Sequence, residues 1–165
     1  MLEVAGRAQG ALEVAGRAQG AVEVKMAVKA FSDEWAKQFE DEVNRSSVYK
    51  AAAKGWKWTV GLVVEAEPDR NFPEARGIVM DLFDGTARSI KVGSAADAQA
   101  CNFVISAPYS RWKQVATKEL DATKGILQGK LKLKGDLPTI VRYTKASQEM
   151  TECTTRVPVE WPDEK

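Results

Sequence analysis

The feature that most constrains this chain is a stretch in which every second side chain is apolar. It runs from Trp56 to Ala66 and places these side chains on one face of an extended strand. A second strand is predicted over 76–83, and the Asp84-Gly85 pair is typical of a tight hairpin leading into a third strand over 86–92. Residues 101–107 alternate again. Four strands joined by short connections favour an antiparallel meander over a β-α-β sheet.

Apolar residues at helical spacing surround these strands. Four short polar residues, each just before such a stripe, are candidate helix N-caps: Ser32, Ser110, Asp121 and Asp136. The first helix weakens at 44–47 and then continues to about Lys54. Residues 93–100 are predicted to form a polar loop, and alternation over 130–134 predicts a fifth strand. The final helix is followed by extended chain from Val157.

The first 25 residues are set apart by a repeat. Residues 2–11 read LEVAGRAQGA, and residues 12–21 repeat that decapeptide unchanged. Two copies are too few for a solenoid, and their glycines weaken any helix. We expect residues 1–25 to be a weakly structured appendage, with a partner-binding arm as the alternative. The predicted domain then spans 26–157, and 158–165 form an extended tail.

Composition excludes several classes of function. The chain has no histidine, which removes Ser-His and Cys-His nucleophile–base pairs and His-containing zinc sites. Its two cysteines, Cys101 and Cys153, have no metal-binding spacing, and no glycine-rich phosphate loop occurs. Lys and Arg total 24 and Asp and Glu 23, so the net charge of +1 gives no general attraction to nucleic acid. We expect a non-catalytic protein with no cofactor, no metal and no nucleic-acid partner.

The absence of recognisable targeting signals predicts a cytoplasmic location. No run of about 18 apolar residues is present to span a bilayer, and the start lacks the basic and apolar regions of a secretion signal. The last residues, from Pro162, are not a peroxisomal or retention address. The expected location is therefore cytoplasmic.

The segment from Gln128 to Asp136 reads QGKLKLKGD and resembles the signature of the sterol carrier protein 2 domain, the nonspecific lipid-transfer family. Its surroundings agree with that family's pattern: Phe103-Val104-Ile105 on a strand, Trp112 on a helix, Ile126-Leu127 just before the signature, and an amphipathic helix over 137–146. The resemblance covers about residues 97–146. The repeat at the start has no counterpart in the family pattern.

The resemblance implies an α+β fold, with a five-stranded antiparallel sheet and helices packed on one face. It also implies an apolar tunnel between sheet and helices that holds a fatty acid, a fatty acyl-CoA, a sterol or a phospholipid. The expected partners are this ligand and, transiently, a membrane surface. The residues expected to contact the ligand are Trp35, Phe103, Ile105, Trp112, Leu127, Gln128, Leu131, Leu133, Ile140 and Val141.

Several alternatives remain open at this point. The lysines of 130–134 fit either an ordinary solvated strand face or a basic rim that meets phosphate headgroups. Apolar stripes do not distinguish a filled core from a hollow one, so a regulatory or scaffold domain with a vestigial pocket is the main alternative function. A histidine-free thioesterase acting on a bound acyl-CoA is a third.

Overall fold

The computed structural model describes residues 26–164, and the predicted appendage over 1–25 lies outside them. The strands are β1 (Val28–Lys29), β2 (Thr59–Glu65), β3 (Arg76–Phe83), β4 (Thr86–Gly93), β5 (Phe103–Pro108), β6 (Lys132–Lys134) and β7 (Val159–Glu160). The α-helices are α1 (Asp33–Arg45), α2 (Ser47–Ala52), α3 (Ala95–Gln99), α4 (Tyr109–Ala116), α5 (Ala122–Leu127), α6 (Leu137–Arg142) and α7 (Thr144–Thr155). Single 3₁₀ turns occupy Pro68–Arg70 and Pro162–Glu164.

Five of the strands form one sheet in the order β4-β3-β2-β5-β6. Three ladders are antiparallel, but β2 and β5 run parallel, with Leu62 opposite Ile105. The predicted α+β class and five-stranded sheet are confirmed, whereas the prediction of a wholly antiparallel sheet is wrong at this ladder. The reason is the connection from β4 to β5, which crosses β3 and β2 to reach the far edge of β2.

The crossing is made by α3, in the segment predicted to be a polar loop. Ser94 Oγ accepts the N–H of Asp97 at 3.1 Å, and the Asp97 carboxylate accepts the N–H of Ser94 at 3.0 Å. This reciprocal capping box stabilises the start of a helix of only five residues. The small polar residues of 93–100 therefore form a capped helix and not a loop.

Helix α3 packs on the opposite face of the sheet from the other helices that contact it. Ala98 is fully buried there against Val63 of β2. A Cβ at Gly61 would lie 2.0 Å from the Ala98 carbonyl oxygen, and one at Gly77 would lie 2.0 Å from that of Ser94. Glycine in β2 and β3 is thus required by the close approach of α3. The prediction that all helices pack on one face needs this correction.

Three of the four predicted helix caps are confirmed. The side chains of Ser32, Asp121 and Asp136 each accept a backbone N–H three residues further on. Ser110 is not a cap, because α4 begins one residue before it and follows Pro108. The N–H of Ser110 instead donates to the carboxylate of Glu67 from a distant loop, at 2.5 Å. A long-range partner therefore replaces the local cap predicted at this position.

The end of the chain packs against the domain. Strand β7 pairs in parallel with β1, and the Trp161 ring packs edge-on against Phe31 with centroids 5.9 Å apart. The Asp163 carboxylate accepts hydrogen bonds from Tyr109 Oη at 2.7 Å and Lys113 Nζ at 3.1 Å. The predicted extended tail is thus short and ends in a turn anchored to α4.

Candidate functional site

A cavity lies between the sheet and the helices that cover its main face. The sheet contributes apolar side chains from three strands: Val60, Leu62, Met80, Leu82 and Ile105. The helices and the loops beside them contribute the opposite wall: Phe31, Trp35, Phe39, Tyr49, Ala53, Trp56, Trp112, Val115, Ala116, Ala122, Thr123, Ile126, Ile140, Tyr143, Ala146, Ser147, Met150, Thr151 and Thr154. The interior predicted from apolar stripes is therefore not completely filled.

The cavity has a volume of about 140 Å³, and none of the described residues lining it carries a charge. An engineered apolar cavity of roughly 150 Å³ stays dry and binds benzene. A group of about that size therefore fits without movement of the walls, and a long acyl chain requires them to open further. The chemistry of the lining suits hydrocarbon, since apolar walls with few polar groups are typical of small-molecule sites.

Helix α6 is the least embedded part of the wall. Of its six residues only Thr139 is buried, although Ile140 reaches the cavity. Leu137 and Val141 on the same helix are exposed. A short helix with few buried side chains opens at lower free energy than the sheet beneath it.

Four of the residues expected to contact a ligand line the cavity: Trp35, Ile105, Trp112 and Ile140. Phe103 and Leu131 are buried in the core outside the lining set, and Leu133 is half-buried against that core. Phe103 packs against Trp56, with ring centroids 5.1 Å apart, so it fills the end of the sheet. Leu131 packs close to Gly125 of α5, where an added Cβ would lie 3.0 Å from Leu131 Cγ.

The other three expected contact residues are exposed: Leu127, Gln128 and Val141. None of the three lines the cavity, and their expected contact with a ligand stays a prediction. Ile126 precedes Leu127 in α5, and Ile140 precedes Val141 in α6. Both isoleucines line the cavity. The next residue along a helix is rotated by about 100°, which turns Leu127 and Val141 towards solvent.

Sequence reasoning missed the contribution of α7. Its lining residues recur at helical spacing: Ala146, Ser147, Met150, Thr151 and Thr154. Most of these side chains are small or hydroxylated, so they do not form a stripe of large apolar residues. The signal that marks them is the helical period combined with small size, which leaves space above the sheet.

Two of the cavity's tryptophans have satisfied indole N–H groups. Trp56 Nε1 donates to the Trp58 carbonyl at 2.8 Å, and Trp112 Nε1 donates to the Val63 carbonyl at 2.9 Å. Trp35 Nε1 and Thr123 Oγ1 are buried and have no hydrogen-bond partner within the described part of the chain. Of the three indoles in the lining, only that of Trp35 therefore lacks a hydrogen-bond partner within residues 26–164.

The pKa shifts of the two cysteines and of Tyr49 indicate no activated nucleophile. Burial raises the pKa of the Cys153 thiol to about 11 and also raises the pKa of Cys101, so both are protonated at neutral pH. Burial, with a smaller effect from Cys153, raises the pKa of the cavity residue Tyr49 to about 12. Over residues 26–164 no cluster of three or more Cys, Asp or Glu side chains is arranged to hold a metal ion.

The sequence profile of the SCP-2 sterol transfer family matches residues 36–146, more than half of the chain. The chain belongs to the SCP-2 sterol transfer family. Members of this family generally bind lipids or sterols, and the domain is typically non-catalytic. The resemblance seen at QGKLKLKGD is confirmed.

Solved structures support the same assignment. A crystal structure of sterol carrier protein 2 is 30% identical, covers 78% of this chain and 99% of its own, and has a TM-score of 0.71. A conserved hypothetical protein of Thermus thermophilus, described as a candidate sterol carrier protein, is 28% identical with the same TM-score over 80% and 92% of the two chains. The sterol carrier protein domain 2 of Helicoverpa armigera, at 13% identity and a TM-score of 0.51 over 72% and 87%, shares the fold.

No curated protein matches the sequence significantly. Over residues 26–164, no helix has the length and apolar character needed to cross a membrane.

Proposed function

We propose that this protein binds lipid-like molecules, without changing them chemically, by enclosing their apolar part between the sheet and the helices. The observation that carries this proposal is the cavity itself, which opens among apolar side chains and has no charged lining residue in the part of the chain that is described. The candidate ligands are fatty acids, fatty acyl-CoA, sterols and phospholipids.

Burial of hydrocarbon supplies the binding free energy. Each CH₂ removed from water contributes about 0.8 kcal/mol. This force is non-directional, so we expect loose selectivity between ligands of similar apolar size. An acyl chain that is too long for the present cavity displaces part of the wall. Helix α6 is the element of the wall that moves at the lowest cost in free energy.

Exposed apolar and basic side chains occur on the segment that contributes Ile126 and Ile140 to the wall. We define the basic and apolar surface by three exposed apolar residues of α5 and α6, Leu127, Leu137 and Val141, and by three exposed lysines between these helices, Lys130, Lys132 and Lys134. Residues 124–145 contain six Lys or Arg and one Asp, in a chain whose net charge is only +1. Leu133 pairs with the cavity residue Ile105, so Lys132 and Lys134 project from the other face of the edge strand β6.

We propose that the basic and apolar surface docks on an anionic bilayer while a ligand enters or leaves. Near such a surface each Lys or Arg contributes about 1 kcal/mol, and exposed leucine and valine gain by entering the interface. Helices α5 and α6 carry both the exposed apolar residues of this surface and the cavity residues Ile126 and Ile140. Docking through Leu127, Leu137 and Val141 therefore engages the two helices that contribute these two isoleucines to the wall.

The binding step is tested by two substitutions on one helix turn. Ile140→Glu places a carboxylate in the cavity wall, where it is costly to desolvate, and Val141→Glu places the same group in solvent. We expect Ile140→Glu to abolish the fluorescence change of a bound fluorescent fatty acid and Val141→Glu to retain it, with both folded by circular dichroism. If the wild type takes up no fatty acid, acyl-CoA or sterol at micromolar concentration, the proposed function fails and a scaffold role takes its place.

The docking step is tested by sedimentation with vesicles. Replacement of Lys130, Lys132 and Lys134 by Gln should reduce binding to phosphatidylcholine vesicles that contain phosphatidylglycerol. The matched control replaces three exposed lysines outside this surface: Lys29, Lys37 and Lys91. Equal losses in the two triple variants, or binding unaffected by either, would contradict docking through this surface.

A further inference from the structure

The cavity ends partway along β2. Alternation places Val60, Leu62 and Val64 on the same face of this strand. Val60 and Leu62 line the cavity, whereas Val64 is completely buried and is not among the described lining residues. The neighbouring strand β5 shows the same limit, because Ile105, opposite Leu62, lines the cavity and Ala107, opposite Val64, does not. The space above the sheet is therefore filled beyond Leu62.

Three aromatic rings close the cavity at this end. Arg76 pairs with Val64 and donates a hydrogen bond to the Phe31 carbonyl at 3.0 Å, which places Phe31 at the end of β2. The Trp35 ring packs edge-on against Phe31, with centroids 5.1 Å apart, and stacks on Phe39 at 5.0 Å. All three line the cavity, and none is more than 3% exposed. We call Phe31, Trp35 and Phe39 the aromatic end wall.

Further rings fill the space behind the aromatic end wall. Phe72, Tyr109 and Trp161 pack edge-on against Phe31, with centroids 6.4, 6.3 and 5.9 Å from it. None of these three is among the described lining residues. Aromatic side chains therefore continue from the cavity to the anchored tail, and a close-packed interior of this kind has little room to yield.

The other end of the cavity is closed less completely. The Trp56 ring lies 5.1 Å from that of Phe103, and Phe103 pairs with Val60 near the start of β2. Tyr143, between α6 and α7, packs edge-on against Trp56 at 5.0 Å and lines the cavity, but it is only half-buried. This end therefore lies beside α6, the part of the wall that opens at the lowest free energy.

We infer that Trp35 is a specificity-determining residue, because its ring stops a hydrocarbon chain that enters beside Tyr143 and so sets the chain length that the cavity accepts. This inference rests on the proposed function and narrows its ligand class to acyl groups below a limiting length. Movement of α6 admits the chain, but the aromatic end wall does not move with that helix. The CH₂ groups beyond the limiting length remain in water at the entrance.

The test is a series of fatty acids that compete with a bound fluorescent fatty acid. Each CH₂ that leaves water on entering the cavity raises the affinity about fourfold, and one that stays in water adds nothing. From octanoate through decanoate, dodecanoate and tetradecanoate to hexadecanoate, the affinity for wild type should rise and then reach a plateau. In Trp35→Leu the plateau should move to a longer chain, and in Trp35→Phe it should move by a smaller step.

The matched control is Trp161→Leu. It removes a ring of the same kind from the far side of Phe31, where Trp161 does not line the cavity. The plateau should stay at its wild-type length in this variant. Circular dichroism establishes that each variant is folded, and Trp35→Phe keeps the test decisive if Trp35→Leu fails to fold.

The outcomes separate this inference from the proposed function. A plateau at the same length in wild type and in the folded Trp35 variants overturns the inference and leaves lipid binding intact. An equal shift in Trp161→Leu, or a wild-type affinity that keeps rising through hexadecanoate, also overturns it. A wild type that binds no fatty acid probe contradicts the proposed function instead.

Discussion

Ser46 Oγ donates a hydrogen bond to a carboxylate oxygen of Glu149 at 2.6 Å, across 103 positions of sequence. Both side chains are buried, Ser46 at the junction of α1 and α2 and Glu149 on α7. The same hydroxyl accepts the N–H of Tyr49 at 2.9 Å and caps α2. Arg156 lies 3.6 Å from the Glu149 carboxylate. One small side chain therefore fixes both α2 and α7, which wall the cavity.

Ser46→Ala should lower the free energy of unfolding by about 1.5–3 kcal/mol, because a buried carboxylate loses a hydrogen bond and α2 loses its cap. The measurement is urea unfolding at neutral pH. Thr155→Ala is the control, since its exposed hydroxyl bonds only to the local Glu152 carbonyl, and it should stay within about 0.5 kcal/mol. Similar losses in both variants would show that Ser46 is no more than a local cap.

Strand β6 and the residue before it give a graded series of stabilities. Leu131 is 1% exposed, Leu133 is half-buried, and Lys132 is exposed. We expect Leu131→Ala to cost about 2–5 kcal/mol, Leu133→Ala less than that, and Lys132→Ala within about 0.5 kcal/mol. Equilibrium unfolding of the three variants checks the order, and a Lys132→Ala loss as large as that of Leu131→Ala would refute the register.

The anchored tail should weaken in acid. Burial acts to raise the pKa of Asp163, but hydrogen bonds from Tyr109 and Lys113 outweigh it and hold the pKa below its usual value. A carboxyl with a lowered folded-state pKa stabilises the fold above its unfolded pKa of about 3.9, and this contribution is lost as the pH falls through the folded pKa.

Unfolding curves between pH 6 and pH 3 measure this contribution as a difference between two proteins. Asp163→Asn should be less stable than wild type at pH 6, and the gap should narrow below about pH 4, near the unfolded pKa of an aspartate. All other carboxyl groups are shared by the two proteins and cancel. A gap that does not change with pH would mean that the Asp163 charge contributes nothing.

Truncation of the two ends should have unequal effects. Deletion of residues 1–25 should shift the melting temperature by only a few degrees, because the self-contained pattern begins after them. Deletion of 158–165 should lower it further, since it removes the β1–β7 pairing, the Trp161 ring and the Asp163 anchor. Calorimetry of the two truncated proteins measures both shifts in melting temperature. A larger fall on deletion of residues 1–25 than on deletion of 158–165 would show that the repeat is a structural element.

Local chemistry accounts for what the sequence predicted well. A cap such as Ser32 or Asp136 acts on an N–H three residues away, and the Asp84-Gly85 hairpin links neighbouring strands, so both are visible in a short window. The parallel pairing of Leu62 with Ile105 joins strands that are distant in the chain and depends on where α3 crosses the sheet. The hydrophobic periodicity of the sequence does not indicate where this crossing occurs.

The site was predictable in part for the same reason. Alternation and helical stripes place Ile105 and Ile140 on inward faces, and both line the cavity. Phe103 follows the same alternation but packs on Trp56 instead, because the neighbouring aromatic rings fill the sheet end. Whether Trp35 Nε1 finds an acceptor among the described residues depends on the positions of all surrounding groups, and a sequence pattern contains no information about those positions.

Native mass spectrometry of the purified full-length chain tests lipid binding most directly. We expect wild type and Val141→Glu to carry added masses of lipid, or to acquire them on incubation with fatty acid, acyl-CoA, sterol or phospholipid, and folded Ile140→Glu to remain without them. A wild-type protein that remains at its bare mass after all four incubations would contradict it.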